Sequence, residues 1–385
     1  MTLNVGVIGC GNISDTYFRN APLFSDIRYV ACADLDMAAA KLKAETYGVT
    51  PSSVDALLNR DDIDAVLNLT VPVAHAEIAL RAIAAGKHVY TEKPLAVSLR
   101  EGRDMLEAAR IRGVRIGSAP DTVLGPGLQT ARRILDAGEI GMTISGLGAV
   151  QSHGMEHWHP NPEFFFKKGG GPVLDIGPYY VGALVHVLGP VKRVKASGSI
   201  GYRERVVQAE GPAKGNAIKV ETFTTLHALL TFASGAEIVL LASWDVWNSD
   251  LRPLELHGTM GTLRIPDPNL FSGPISVSTG ASNFRTVETA ALPFGAGNRD
   301  WDGDGVLRYS CYRGLGLAEM ASAIERGTVH RCSAEVGYHV LETLLAIEEA
   351  AAENCVINLR STCERPARFD AADAEQLMSK PGLLA

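Results

Sequence analysis

The sequence predicts an α/β domain on a parallel sheet, followed by a second, α+β domain whose strands are mostly antiparallel. Three observations carry this. An apolar run, LNVGVI, stops at a glycine turn and resumes as helix-compatible sequence. Strand-like and helix-like segments then alternate to about residue 122, the pattern that builds right-handed parallel crossovers. Beyond that point strands are separated by turn residues instead.

A chain of 385 residues exceeds what one core usually organises, and the change of pattern divides it into 1–122 and 123–385. With 46% hydrophobic and 21% charged residues, its composition is that of a globular protein. The formal charge of −7, with acids and bases interspersed, offers no basic stripe and argues against a nucleic-acid partner. The first apolar run is too short for a signal peptide or membrane span and lacks a basic lead-in, so the cytoplasm and no membrane partner are expected. Six cysteines lie scattered without a CxxC pair, which speaks against a disulfide framework or zinc ribbon.

The elements follow in order. In LNVGVIGCGNIS, Gly9 and Gly11 fit the first two glycines of GxGxxG, and Ser14 takes the third place. Missing side chains there let a pyrophosphate approach the N–H groups of Asn12 and Ile13 at the helix start. The strand IRYVACAD ends at Asp34, twenty residues past Ser14, where an acid accepts the adenosine ribose hydroxyls. A 2′-phosphate would meet like charge, so NAD is expected over NADP. Next come MAAAKLKAETYG as helix, AVLNLT as strand, AHAEIALRAIAAG as helix, HVYTEK as strand, REGRDMLEAARIRG as helix and VRIGSAP as strand. Ligands bind at the carboxyl ends of such strands, here the loops at Thr70 to Pro72, Glu92 to Pro94 and Ala119 to Asp121. The expected cofactor set is Gly9, Gly11, Asn12, Ile13, Asp34, Thr70, Pro72, His75, Glu92 and Lys93, with Asp121 a candidate for substrate hydroxyls. Lys93 is open to two readings, a solvated lysine or an ammonium that stabilises alkoxide charge and becomes a base if burial depresses its pKa.

The densest chemistry lies in QSHGMEHWHPNP, residues 151–162. His153, Glu156 and His157 fit H-x-x-E-H, an inverted zinc-protease signature. That signature needs a helix, whereas strand character precedes it, Gly154 interrupts it and Pro160 and Pro162 follow, so no metal is expected. Either the segment is a surface loop, or it overhangs the cofactor cleft and presents His157, Trp158 and His159 to a polyol.

GGGPVLDIGPYYVGALVHVLG reads as a glycine turn entering a helix with Asp175 at its N-cap and Tyr179 one turn on. Both then point at one small ligand, or Asp175 is only a cap and Tyr179 a core aromatic. Further on, KVETFTTLHALLTFASGAEIVLLASWDVW reads as a hairpin through Ser234-Gly235, and LELHGTMGTLRIPDP as another through Met260-Gly261. A broad sheet face would need cover, which suggests pairing of two chains. GAGNRDWDGDG has the composition of a calcium loop without EF-hand spacing and reads as a solvated turn. LGLAEMASAIERG and EVGYHVLETLLAIEEAA read as amphipathic helices; spacing does not place Tyr312 and Arg313 just before them.

The glycine turn, TVPVAHAEIALRAIAAGKHVYTEKP and GGGPVLDIGPYY, in that order and spacing, closely resemble the Gfo/Idh/MocA family of glucose-fructose oxidoreductase, inositol dehydrogenase and related sugar dehydrogenases. The resemblance runs from residue 3 to about 355. It implies an α/β Rossmann domain followed by an α+β domain with a large open, mostly antiparallel sheet, and a nicotinamide lying between them. It further implies Lys93 facing the reacting carbon, Asp175 and Tyr179 as catalytic partners, and a homodimer or homotetramer. Most members carry histidine where this chain has Tyr179, so the implied branch is that of glucose-fructose oxidoreductase and the dihydrodiol dehydrogenases. The expected function is NAD-dependent oxidation of a secondary hydroxyl of a sugar, sugar derivative or cyclitol. Its rivals are an NAD-dependent glycosidase using transient oxidation and a catalytically idle NAD- or sugar-binding regulator.

Overall fold

The computed structural model describes residues 2–300 and 308–378, so residues 301–305 of the glycine-aspartate segment lie outside the described residues. The first domain runs β1 (Leu3–Ile8), α1 (Asn12–Asn20), β2 (Ile27–Ala33), α2 (Met37–Tyr47), β3 (Thr50–Ser52), α3 (Val54–Leu58), β4 (Ala65–Asn68), α4 (His75–Ala84), β5 (His88–Thr91), α5 (Leu99–Arg112) and β6 (Ile116–Ser118). Its strands lie in the order β3-β2-β1-β4-β5-β6, all parallel. The order reverses between β1 and β4, which opens a crevice at their carboxyl ends. β4 is buried along its whole length because helices cover both faces, so it shows an apolar run and no alternation. Helix limits follow local chemistry: Ser98 accepts the Glu101 N–H to start α5, and Gly113, left-handed at φ 72°, ends it.

The second domain begins with α6 (Pro126–Asp136), a helix the sequence reading passed over, and continues with β7 (Thr143–Gln151). The long helical segment is two helices, α7 (Pro172–Asp175) and α8 (Gly177–Leu188). Asp175 therefore closes the first of them; Ile176, not Asp175, stands at the N-cap of α8. Then come β8 (Val191–Ser199), the small ribbon β9 (Glu204–Val206) with β10 (Ala217–Lys219), β11 (Thr225–Phe232), β12 (Glu237–Ser243), β13 (Leu254–Gly258), β14 (Gly261–Ile265), β15 (Ile275–Thr279) and β16 (Arg285–Val287). A short ribbon of β17 (Arg299–Asp300) with β18 (Arg308–Tyr309) precedes α9 (Leu315–Arg326), α10 (Ala334–Glu353), β19 (Val356–Asn358) and α11 (Ala371–Leu377).

Nine strands form one sheet, β16-β15-β14-β13-β7-β12-β11-β8-β19. Only the β7–β12 pair is parallel among the described ladders of this sheet. Both expected hairpins are present, β11 with β12 and β13 with β14. β11 alternates, with Leu226, Ala228, Leu230 and Phe232 buried, because only one sheet face is covered by helices.

α10 joins the two domains. Its Ala334 and Leu341 belong to the core of the parallel sheet, while Val340, Leu344 and Ile347 pack in the core that α8 and β8 share. Gly337 lets that helix approach Ser118, whose Cβ would lie 2.9 Å from any Cβ added there. Gly117 also bridges to Ser333. The end of β6 is thereby held against α10, which packs in turn on α8. Among the described residues no helix is long and apolar enough to cross a membrane.

Candidate active site

The glycine turn is shaped for a diphosphate. Gly9 has φ 103°, and a Cβ on it would meet Leu69 backbone atoms at 2.6 Å. A Cβ on Gly11 would meet nothing within 4 Å, so open space lies over the start of α1. No side chain caps that helix, and of its first-turn N–H groups Ser14 donates to the Gly11 carbonyl at 3.1 Å while those of Asn12 and Ile13 have no carbonyl one turn back. At the mouth, Asp34 Oδ2 accepts the Cys10 N–H at 2.7 Å and Oδ1 accepts the Asp36 N–H at 2.9 Å. These residues fit a dinucleotide: an open diphosphate cradle and a carboxylate fixed beside it. Thr70 Oγ1 donates to Asn68 Oδ1 at 2.7 Å, and Pro72 opens the 3-10 turn ahead of α4. His75 departs from expectation. It is 1% exposed, with Nδ1 2.7 Å from the Pro94 carbonyl and Nε2 3.0 Å from the Thr70 carbonyl. Burial lowers its pKa. It ties two ligand-facing loops together from behind and does not reach a cofactor itself.

The ammonium of Lys93 sits at the carboxyl end of α7. Nζ donates to the Asp175 carbonyl oxygen at 2.7 Å and to Asp175 Oδ1 at 2.9 Å. A cation is favoured there because the last carbonyls of a helix lack partners and carry partial negative charge. Nζ also lies 5.3 Å from the centre of the Tyr179 ring. The Lys93 and Asp175 side chains keep 16% and 19% exposure, enough to meet a ligand. Burial works against the charge on Lys93, but Asp175, Tyr179 and Glu92 outweigh it and hold the ammonium above its ordinary pKa. Asp175 thereby favours the cationic form, the reading in which Lys93 stabilises developing alkoxide charge. Glu92 accepts Tyr17 Oη–H at 2.7 Å on Oε1 and the Lys93 N–H at 2.9 Å on Oε2, which fixes the backbone that presents the lysine.

Arg313 was not placed by the sequence. Its Nη2 donates to the Tyr179 hydroxyl at 3.2 Å and to Asn269 Oδ1 at 3.0 Å. Burial opposes its charge, yet Tyr179, Cys311 and Glu92 raise its pKa well above the ordinary value. The Tyr179 phenol is thus flanked by two cations that stay charged. No spacing could have revealed this, since 134 residues separate the pair.

Asp121 is a second correction. It is 1% exposed, and its Oδ2 accepts the N–H groups of Gly314 at 2.8 Å and Gly316 at 3.1 Å. It anchors the start of α9, next to Arg313, and is not open to a substrate hydroxyl. Burial pushes its carboxyl up to about 6. In the 152–162 loop, His157 Nδ1 lies 2.9 Å from Gln208 Oε1, Trp158 is 63% exposed, and His159 packs edge-on to Trp158, Phe164 and Phe165. Among the described residues no hydrogen bond or ring contact joins these three to Lys93, Asp175 or Tyr179. The connection is through the chain: Gly171 donates to the Phe165 carbonyl at 2.8 Å and opens α7.

Residues 3–119 match the oxidoreductase family with an NAD-binding Rossmann fold, and residues 128–264 match the GFO/IDH/MocA C-terminal domain. The chain belongs to the GFO/IDH/MocA family. Among curated relatives, a dTDP-3,4-didehydro-2,6-dideoxy-alpha-D-glucose 3-reductase of Streptomyces violaceoruber is 31% identical over 64% of this chain and 71% of its own. The levoglucosan dehydrogenase of Pseudarthrobacter phenanthrenivorans is 25% identical over 77% of this chain and 82% of its own. Among solved structures, an NAD-binding oxidoreductase from Klebsiella pneumoniae superposes with TM-score 0.80 at 28% identity, covering 94% of this chain and all of that one. The chain is an NAD(P)-dependent oxidoreductase acting on CH–OH groups, the class in which its curated relatives are named.

Proposed function

We propose that this protein is an NAD-dependent dehydrogenase that oxidises one secondary hydroxyl of a sugar, sugar derivative or cyclitol. The observation that carries the proposal is the convergence of the Lys93 ammonium, the Asp175 carboxylate and the Tyr179 phenol. Bound NAD supplies the hydride acceptor. Gly9, Gly11, Asn12 and Ile13 would hold its diphosphate and Asp34 its adenosine ribose, which favours NAD over NADP.

The protein's own residues account for the proton. Asp175 favours the cationic form of Lys93, which would stabilise the oxygen as charge develops on it. In this reading Tyr179 takes the proton, as acceptor or relay, with the Lys93 ammonium over its ring and the Arg313 guanidinium on its hydroxyl. Asp175 orients the ammonium and accepts a hydrogen bond from a neighbouring substrate hydroxyl. If the 152–162 loop reaches the bound sugar, Trp158 and His159 would offer an aromatic face to the C–H side of the ring.

Absorbance of NADH, followed across sugars, glycosides, anhydrosugars and inositols, tests the reading. Net NADH from at least one of them is expected. Release of an aglycone without NADH would indicate a glycosidase, and tight NAD binding without turnover of any polyol would indicate a binding protein. We also infer a homo-oligomer from the open sheet face: Leu229, Val239 and Leu147 form one row across β11, β12 and β7, and Val239 is 39% exposed. A monomeric mass by light scattering would refute it.

A further inference from the structure

We propose that His153, Glu156 and His157 form a site for one divalent transition-metal ion of the zinc class, apart from the hydride site. The spacing H-x-x-E-H ordinarily uses a helix to bring its residues together, and none is present. A single turn does the same work: the N–H groups of Trp158 and His159 both point to the Met155 carbonyl, at 3.3 and 2.9 Å. One ligand atom from each of the three side chains lies within 4.8 Å of the other two. Ligands around a tetrahedral zinc stand roughly 3.3 Å apart, so rotation of the two partly exposed imidazoles closes the set.

Unmet bonding points to a ligand. Glu156 is 2% exposed; its Oε1 accepts Arg205 Nη1 at 2.6 Å, but its Oε2 is buried without a partner. The Nδ1 of His153 is likewise buried without a partner. Leaving a carboxylate oxygen and an imidazole nitrogen dry and unpaired costs on the order of 1–3 kcal/mol each. The His157 ring sits between two oxygens, Nδ1 2.9 Å from Gln208 Oε1 and Nε2 3.1 Å from the His153 carbonyl. A neutral imidazole donates to only one of them, so in the tautomer with its proton on Nδ1 the Nε2 lone pair, 3.8 Å from Glu156 Oε1, is available to a cation. The Gln208 contact is the outer partner that metal-bound histidines use to fix their tautomer.

Charge and space agree with this. Arg205 pairs with both Glu156 and Asp245, so two carboxylates and one guanidinium leave one net negative charge almost out of solvent. Gly154 keeps room for the free oxygen, since a Cβ there would lie 2.3 Å from Glu156 Oε2. Trp247 stacks on one face of the His153 imidazole. Two nitrogens and one carboxylate oxygen select zinc, cobalt or nickel over magnesium or calcium, and three protein ligands leave at least one coordination position for water. Bound there, the ion would pin the loop that carries Trp158 and His159.

Tag-free, full-length protein stripped with chelator and titrated with Co²⁺ tests the site. The expected result is one Co²⁺ per chain with visible d–d absorption, displaced by Zn²⁺. His153→Ala and His157→Ala, both at partly exposed positions, should each weaken binding at least about tenfold while thermal unfolding and NAD binding stay unchanged. The proposal is overturned if the stripped protein takes up no stoichiometric Co²⁺, or if both histidine variants bind it as the parent does. An NMR titration showing His157 doubly protonated at neutral pH in the presence of Zn²⁺ would also overturn it.

Discussion

The guanidinium of Arg313 donates to the hydroxyl of Tyr179 across 3.2 Å, joining a residue at the lip of α9 to the first turn of α8. If Tyr179 takes or relays the substrate proton, removing that guanidinium takes away the donor that orients its hydroxyl. Arg313→Gln is expected to lower kcat by roughly 10- to 100-fold while KM and NAD affinity stay within a few-fold. An unchanged kcat would reduce Arg313 to a packing role.

Lys93→Ala and Tyr179→Phe are expected to reduce turnover by roughly 10²- to 10⁴-fold. NAD affinity, measured by fluorescence titration, should stay within a few-fold of the parent, because neither side chain lies at the diphosphate turn. Near-normal turnover in either variant would remove it from the proton path.

Asp34 has two duties that separate on measurement. It holds the Cys10 and Asp36 N–H groups, and it is placed to accept ribose hydroxyls. Asp34→Ala should therefore weaken both cofactors through the loosened turn, but NAD by roughly tenfold more than NADP. The ratio of the two dissociation constants is the reading that matters; an unchanged ratio would refute the ribose contact.

His186, on α8, is buried, and burial first, then Arg132, Arg331 and Arg365, lower its pKa to about 3. The unfolded chain takes up that proton near pH 6.5, so the native state loses stability as pH falls from 6.5 toward 3 and keeps it above 6.5. At pH 5 the loss attributable to His186 is on the order of 2 kcal/mol. Urea unfolding at pH 5 and 7 should show a smaller difference for His186→Leu than for the parent.

Local chemistry in the sequence was enough for the parallel domain, whose strands and helices carry their own periodicity, caps and glycines. The turn at Gly9 and Gly11 and the strand that ends beside Asp34 were legible for that reason, as were the two hairpins through Ser234-Gly235 and Met260-Gly261. Asp175 was legible as a polar residue beside a helix, yet its place at the end of α7 was not, because the Gly177-Pro178 pair that follows Ile176 was read as the first turn of one helix and not as a break between two.

What required the tertiary structure was every relation between distant segments. Lys93 was known as a residue, but its charge state rests on Asp175, which lies 82 residues away and only the packed domains bring alongside. His75 and Asp121 stand at the loops where ligands bind, and the sequence does not say which way a side chain faces; both turn inward to carry backbone hydrogen bonds. The reason is physical. Turn and helix preferences are set by neighbours along the chain, whereas burial, pairing and protonation are set by neighbours in space.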